Sequence, residues 1–227
     1  MSMNGEMSQF RAEIGEQPEV AARLLQRGSS TTEAIARAIR KADPAGIVIA
    51  ARGSSDHAAL YAKYLFQHRN RLLVSMAAPS LFTNYRTTPR LDRFCVIGIS
   101  QSGASPDVAA VVEEARRQGA VTVAVSNDAD SALGCTADYV LPLEAGVERS
   151  VPASKTYTAS LLALAMLSEA LDREAGFAAA LARVPDALES ALVAEREVTA
   201  LAPWLARGRS PTSCMGQSRS PNLPCPR

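Results

Sequence analysis

The 227-residue sequence is poor in aromatic residues and histidine, and neither sign of charge dominates it. Aromatic residues make up 5% of it, and 24 Lys and Arg residues face 23 Asp and Glu residues, for a formal net charge of +1. This balance argues against the basic surface that nucleic-acid binding requires. No apolar run reaches 18 residues, and no charged-then-apolar leader opens the chain. We therefore expect a soluble cytoplasmic protein that binds neither nucleic acid nor membrane.

Cysteine is also scarce, and its spacing indicates no site. The four cysteines, Cys95, Cys135, Cys214 and Cys225, include no C-x-x-C pair. Neither a metal site nor a disulfide framework is indicated, and we expect no cofactor. Cys95 lies in an apolar segment, where a free cysteine behaves as a small core residue.

Several motifs of common enzyme classes are absent. Neither Gly-x-Gly-x-x-Gly nor a Gly-Lys-Ser/Thr P-loop occurs, which argues against a nucleotide-binding enzyme. The segment Gly98-Ile99-Ser100-Gln101-Ser102 lacks the final glycine of a serine-hydrolase elbow. The segment before Gly46 is too short for a helix-turn-helix domain joined to a ligand-binding domain, and it lacks a basic recognition helix.

Strand and helix patterns alternate along the chain. Apolar runs predict strands at 46–51, 72–76, 94–99, 121–125 and 139–143, and the helical patterns among them include 55–68, 106–118 and 153–172. Two further helices, 10–27 and 31–41, are predicted before them, with a break at Gly28 and a cap at Thr31 or Thr32. Such alternation predicts an α/β fold, a three-layer sandwich in which helices cover both faces of a parallel sheet.

Two serine-rich turns follow predicted strands and precede predicted helices. The first is Arg52-Gly53-Ser54-Ser55, and the second is Ser100-Gln101-Ser102-Gly103-Ala104-Ser105. The first N–H groups of a helix lack intrahelical partners and carry partial positive charge, so an anion such as phosphate fits there. Turns at the carboxyl ends of parallel strands lie at one edge of a sheet, and the two could converge on one ligand.

A purely structural explanation accounts for part of the second turn. Ser105-Pro106-Asp107 is a good helix start in its own right, with a capping residue, a proline at the first position and an acid in the first turn. That explanation leaves Ser100, Gln101 and Ser102 without a role, because no cap requires them.

The two serine-rich turns, together with Val123-Ala124-Val125-Ser126-Asn127 and Glu148-Arg149-Ser150-Val151-Pro152-Ala153-Ser154-Lys155-Thr156, resemble the sugar isomerase (SIS) domain family. The order and spacing are most similar to the first SIS half of the isomerase part of glucosamine-fructose-6-phosphate aminotransferase and related phosphosugar isomerases and deaminases. The resemblance covers roughly residues 10–200. It implies an SIS-type, flavodoxin-like sheet.

The resemblance also implies the site. The phosphate of a hexose or hexosamine 6-phosphate is expected on the residues of the two turns: Gly53, Ser54, Ser55, Ser100, Gln101, Ser102, Gly103 and Ser105. The segment Val151–Lys155 is expected to border the sugar, with Val151, Ala153 and Lys155 as its contacts. Ala153 stands where the family often has serine, and Pro152 where alanine is common, so the backbone must serve there. Lys155 either steers the anion or lies in solvent.

Catalysis is harder to assign. Aldose–ketose isomerisation needs a base that moves a proton between adjacent carbons. Glu148 and His57 are the candidates for that role, and His68 is expected at the surface. Two interpretations stay open: an isomerase or deaminase of amino-sugar metabolism, and a sugar-phosphate-binding module without turnover.

The domain organisation follows from the same reasoning. We expect an N-terminal helical segment (1–45), an SIS domain (46–175), C-terminal helices (176–206) that lead to a missing second SIS half, and a disordered or out-of-frame tail (207–227). An unpaired SIS half would expose an apolar face, which a second copy of the chain would cover in a homodimer.

Overall fold

Five parallel strands form a single sheet in the computed structural model, which describes residues 3–172 and 176–194. The strands are β1 (Ile47–Ala50), β2 (Val74–Met76), β3 (Cys95–Ile99), β4 (Val121–Ser126) and β5 (Tyr139–Pro142), in the order β2-β1-β3-β4-β5. Every neighbouring pair is parallel. The predicted α/β fold with a parallel, flavodoxin-like sheet is confirmed.

Helices connect and flank these strands. They are α1 (Met3–Gly15), α2 (Gln17–Ala42), α3 (Ser54–Asn70), α4 (Pro79–Thr83), α5 (Pro106–Arg117), α6 (Ala132–Thr136), α7 (Lys155–Leu171), α8 (Phe177–Ala182) and α9 (Val184–Leu192). Within the described ranges, no helix is long and apolar enough to cross a membrane. The described residues up to Leu188 belong to one compact unit, and the described residues from Glu189 belong to a second. The proposed domain borders stay predictions, and the predicted tail at 207–227 lies outside the described residues.

The sheet is buried on both faces because side chains alternate along each strand. Ile49 and Ile97 pack into a core shared with α2, α3 and α7. Val48 and Val96 point to the opposite face, into a core shared with α5. Each fully buried aliphatic side chain contributes about 1.5–3 kcal/mol, so these two cores hold the helical layers on the sheet.

The predicted helix break at Gly28 is wrong, as is the predicted cap at Thr31 or Thr32. A single helix, α2, runs from Gln17 to Ala42 and passes through Gly28 without interruption. A glycine inside a helix costs about 1 kcal/mol relative to alanine, but here it creates room for a neighbour. A Cβ at Gly28 would lie 3.1 Å from Met166 Cε on α7. The glycine therefore serves the packing of α2 against α7.

The strand order creates a crevice between β1 and β3. These strands are neighbours, yet α3 leaves β1 toward one face of the sheet and α5 follows β3 on the other face. Ligands of open α/β sheets bind outside the carboxyl ends of the strands at such a switch point. The two serine-rich turns begin at these two strand ends.

Candidate functional site

The first serine loop (residues 51–55) and the second serine loop (residues 100–105) lie side by side at the switch point. Their parent strands pair directly, with Ala50 opposite Gly98. A small cleft joins them to the start of α7, and its lining residues are Ser54, Ser55, Gln101, Ala153, Thr156, Tyr157 and Ser160. The structure thus brings the two turns together with Ala153, although these residues span about a hundred positions of the chain.

The first serine loop turns sharply into α3 at Gly53. Its φ of 63° and ψ of −131° form a backbone conformation that side chains with a Cβ rarely adopt. Gly53 occupies the N-cap position, so Ser54 and Ser55 are the first two residues of α3. Ser54 is exposed and Ser55 is half-buried. Both hydroxyls therefore stand beside backbone N–H groups that the helix itself leaves unpaired.

The second serine loop is folded tightly over α6, a short helix that the sequence analysis did not predict. Gly103 has a φ of 63°, and a Cβ at this position would lie 1.9 Å from Ser131 Oγ. The Gly103 carbonyl accepts a hydrogen bond from Leu133 N at 3.1 Å, and its N–H donates to the Ser100 carbonyl at 3.2 Å. Glycine is required here by both the backbone conformation and the close approach of Ser131.

Ser105 has the backbone conformation of an N-cap, with φ −75° and ψ 108°. Among the described residues, however, no α5 backbone N–H is capped by its side chain. Capping by the hydroxyl therefore does not explain this serine. The Ser102 hydroxyl accepts a hydrogen bond from Ala104 N at 3.3 Å, and Ser100 is 8% exposed at the end of β3. Because the Ser105 hydroxyl does not cap α5, it is available to bind a ligand.

Glu148 ties the second serine loop to the start of α7. One carboxylate oxygen accepts hydrogen bonds from Ser154 N at 2.9 Å, Ser154 Oγ at 3.2 Å and Thr156 N at 3.3 Å. The other accepts from the Thr156 hydroxyl and from Gln101 Nε2 at 3.4 Å. The carboxylate sits at the N-terminus of α7, where negative charge is favourable. It caps that helix and orients Gln101.

Three residues of the cleft, Thr156, Tyr157 and Ser160, were not predicted from the sequence. They lie on the first two turns of α7, and Thr156 and Ser160 are 1% and 5% exposed. The Ser160 hydroxyl donates to the Thr156 carbonyl at 2.8 Å. A signal was present in the sequence: a cluster of hydroxyl residues opens a helix that is otherwise strongly apolar.

Lys155 points away from the cleft despite its place in the motif. Its side chain is 3% exposed, and Nζ lies 2.6 Å from Glu16 Oε2 at the junction of α1 and α2. Val151 is 97% exposed. The histidines are also exposed: His57 lies in the first turn of α3, and His68 lies in its last turn, as expected. Their roles in binding or catalysis stay predictions.

An ion pair joins the first serine loop to the first turn of α5. Arg52 Nη2 lies 3.4 Å from Asp107 Oδ2, and both side chains are partly exposed. Among the described residues, no group of three or more His, Cys, Asp or Glu side chains could hold a metal ion. The site therefore offers hydroxyls, amides, helix N-termini and one exposed guanidinium, a chemistry suited to an anionic, hydroxyl-bearing ligand.

Comparison with known proteins agrees with this architecture. Over 192 residues the chain is 35% identical to glutamine–fructose-6-phosphate aminotransferase (isomerizing) of Aquifex aeolicus, an alignment that covers 84% of this chain and 32% of the relative. A solved structure from Silicibacter pomeroyi DSS-3, assigned as a phosphosugar isomerase, matches with a TM-score of 0.78 and 38% identity, over 81% of this chain and 56% of that one. Glucosamine-6-phosphate deaminase of Thermotoga maritima has the same fold, with a TM-score of 0.62 and 16% identity over 78% of this chain and 54% of that one.

The extent of these matches defines what they show. The chain spans about a third of the length of the curated relatives it matches, so the activity of the whole relatives does not transfer directly. The model of the SIS domain matches residues 39–170, which is more than half of the 227 residues. This match and the parallel sheet with its two serine loops place the chain in the SIS domain family.

Proposed function

We propose that this chain binds a hexose or hexosamine 6-phosphate, with the phosphate on the two serine loops. The observation that carries the proposal is the convergence of Ser54, Ser55 and Gln101 on one cleft at the switch point of the sheet. Unpaired N–H groups at the starts of α3 and α5 would add favourable charge for the anion. The relatives support the ligand class, because their names specify fructose 6-phosphate, glucosamine 6-phosphate and phosphosugars.

The proposed contacts keep the sequence-based assignment, except that Lys155 has a different role and two residues of α7 are added. The phosphate contacts are Gly53, Ser54, Ser55, Ser100, Gln101, Ser102, Gly103 and Ser105, and the sugar borders Val151 and Ala153. Lys155 supports the cleft wall without contacting the ligand, because its ammonium is bound to Glu16. Thr156 and Tyr157 extend the sugar-facing wall, since both line the cleft with Ala153.

Binding without turnover is the second candidate function, and the state of Glu148 favours it. Both of its oxygens already accept hydrogen bonds from Ser154, Thr156 and Gln101, so the carboxylate is poorly placed to take a proton from a sugar carbon. His57 is exposed rather than aimed into the cleft. Isomerase or deaminase chemistry would then need a base from another subunit or another part of the polypeptide. A turnover assay with fructose 6-phosphate and with glucosamine 6-phosphate separates the two functions.

Thermal denaturation in the presence of ligand tests the binding function. Glucosamine 6-phosphate or fructose 6-phosphate at a hundred times its dissociation constant should stabilise the protein by roughly 2.7 kcal/mol. Glucosamine and fructose without phosphate should produce no shift. Equal shifts with and without the phosphate would contradict the phosphate assignment, and no shift with any sugar would contradict the ligand class.

A double variant tests the second serine loop itself. Ser100→Ala with Ser102→Ala should abolish binding and leave the fold intact, because each lost hydrogen bond to a charged phosphate costs about 1.5–3 kcal/mol. The matched control is Ser29→Ala with Ser30→Ala, two exposed serines on α2 that do not line the cleft. Wild-type affinity in the loop variant would show that the phosphate binds elsewhere.

A homodimer is the proposed assembly, and the exposed face of α3 is its proposed contact. Leu60, Tyr61 and Tyr64 are 47%, 38% and 71% exposed, and they follow Ser54 and Ser55 along the same helix. The cleft has a volume of only about 10 Å³, far below the roughly 300–1,000 Å³ of typical small-molecule sites, so a second copy on α3 would also supply a missing wall.

Light scattering after size-exclusion chromatography tests this assembly. The wild type should be a dimer, and Tyr64→Glu should be a monomer with a weakened ligand site. A monomeric wild type, or a dimer that Tyr64→Glu leaves intact, would contradict the α3 contact. A cytoplasmic location and the absence of nucleic-acid and membrane partners remain predictions.

A further inference from the structure

The loop between β5 and α7 carries one wall of the cleft without regular structure of its own. Residues 143–154, all within the described ranges, form neither helix nor strand. Ala153 of this loop nevertheless lines the cleft. Because no ladder of backbone hydrogen bonds fixes such a segment, its position depends on the side chains that bind it.

Glu13 of α1 binds this loop directly. Its Oε1 accepts a hydrogen bond from Arg149 N at 2.7 Å, and its Oε2 accepts one from Ser150 N at 3.2 Å. The residue is 3% exposed. Burial raises the pKa of Glu13, but the hydrogen bonds from residues 149 and 150 and the nearby Lys155 ammonium outweigh it, and the pKa is lowered. A carboxylate this buried is tolerated only because both of its oxygens are bonded.

Two further contacts join the same helical corner to the start of α7. Glu16 Oε2 binds the buried Lys155 ammonium at 2.6 Å, and Gln17 Oε1 accepts the Thr158 hydroxyl at 2.8 Å. Glu13 therefore holds the loop before Ala153, while Glu16 and Gln17 hold the helix after it. The cleft wall is clamped on both sides by residues more than 130 positions earlier in the chain.

We propose that Glu13 is a positioning residue of the ligand cleft, and that residues 13–17, where α1 meets α2, hold the cleft wall in place. This inference rests on the proposed function, because the cleft is the one assigned to the sugar phosphate. Residues 13–17 lie outside residues 39–170, the range matched by the SIS domain model. Glu13 would act through the backbone of residues 149 and 150, which sets the position of Ala153 and Thr156.

Glu13→Gln tests the proposal. The glutamine oxygen can accept a hydrogen bond from one of the two backbone N–H groups, but its NH₂ is a donor and cannot accept from the other. Asp138→Asn is the matched control. Asp138 is a carboxylate that accepts hydrogen bonds from Thr122 N at 3.1 Å, Thr122 Oγ1 at 2.8 Å and Arg116 Nε at 2.9 Å, at the amino-terminal ends of β4 and β5, the opposite end of the strands from the cleft. Titration calorimetry with glucosamine 6-phosphate should show binding weakened about tenfold in Glu13→Gln and unchanged in Asp138→Asn.

Amide hydrogen exchange provides a readout that needs no ligand. In the wild type, the amides of Arg149 and Ser150 should exchange slowly although they belong to no helix or strand. Glu13→Gln should speed the exchange of residues 149–154, and Asp138→Asn should not. If Glu13→Gln does not fold, the exchange rates of the Arg149 and Ser150 amides in the wild type test the proposal. Exchange at the rate of an unstructured peptide would overturn it.

The outcomes separate this inference from the proposed function. A wild type that binds no sugar phosphate defeats the proposed function, whatever the exchange data show. A wild type that binds, with Glu13→Gln binding equally well, overturns the positioning role alone. Equal losses of affinity in Glu13→Gln and Asp138→Asn would also overturn it, because they would indicate a general loss of stability.

Discussion

Replacing Gly103 by alanine perturbs the second serine loop in two separable ways. The residue has a φ of 63°, which strains any side chain with a Cβ. The new methyl group would also lie 1.9 Å from Ser131 Oγ, 2.3 Å from Ser131 Cβ and 2.9 Å from Ser126 Oγ. None of these distances is compatible with the present positions of the atoms, so the loop or α6 must shift.

The expected cost is the sum of both effects. Left-handed backbone costs a non-glycine residue about 1–2 kcal/mol. Overpacking a buried site costs about 1–3 kcal/mol. Gly53→Ala isolates the first effect, because Gly53 has the same φ of 63° but a Cβ there would meet no described atom within 4 Å. We therefore expect Gly103→Ala to lower the free energy of unfolding by about 2–5 kcal/mol, and Gly53→Ala to lower it by about 1–2 kcal/mol.

Urea unfolding followed by circular dichroism measures both values, and a second substitution checks the cause. Ser131 caps α6 by accepting from Gly134 N at 3.2 Å, and glycine at an N-cap costs only a few tenths of a kcal/mol relative to serine. Ser131→Gly should therefore restore most of the overpacking loss in a Gly103→Ala background. Equal losses for Gly103→Ala and Gly53→Ala, or no rescue by Ser131→Gly, would refute the steric explanation.

Three further predictions concern charge and burial. Glu16→Gln should lower the free energy of unfolding more than Lys155→Met, by at least about 1 kcal/mol in urea titrations, because only the former leaves a buried ammonium without its partner. Hydrogen bonds from Arg117 lower the pKa of Glu114 to about 2. The ionised carboxylate therefore stabilises the fold fully above its ordinary pKa of 4.5, and this stabilisation is lost as the pH falls toward 2. Glu114→Gln should flatten the pH dependence of the urea midpoint across that window. Burial raises the pKa of the Cys95 thiol to about 12, so a variant with the other three cysteines replaced by serine should react with a thiol reagent only after unfolding, and rapid reaction of the native protein would contradict this.

Local patterns in the sequence were sufficient for most elements near the site. The apolar run ending at Ile99 and the cap-like Ser105-Pro106-Asp107 predicted β3 and α5 closely, since alternation and helix starts are encoded by neighbouring residues. The same logic failed at Gly28, because a glycine that looks like a helix break is there to admit Met166 of another helix. Helix α6 was not predicted, since its five residues carry no periodic apolar pattern.

The sequence by itself determined the fold class, the family resemblance and the two serine loops, because these depend on residues close together in the chain. Tertiary structure alone decided what the remaining residues of the motif contact. Lys155 was expected either to steer an anion or to lie in solvent, and the folded chain buries its ammonium against Glu16, 139 positions away. Glu148, a candidate base, accepts hydrogen bonds from Gln101 and from the start of α7, and its catalytic role stays a prediction. A charged side chain acts according to the partners that surround it when it is removed from water, and only the folded chain selects those partners.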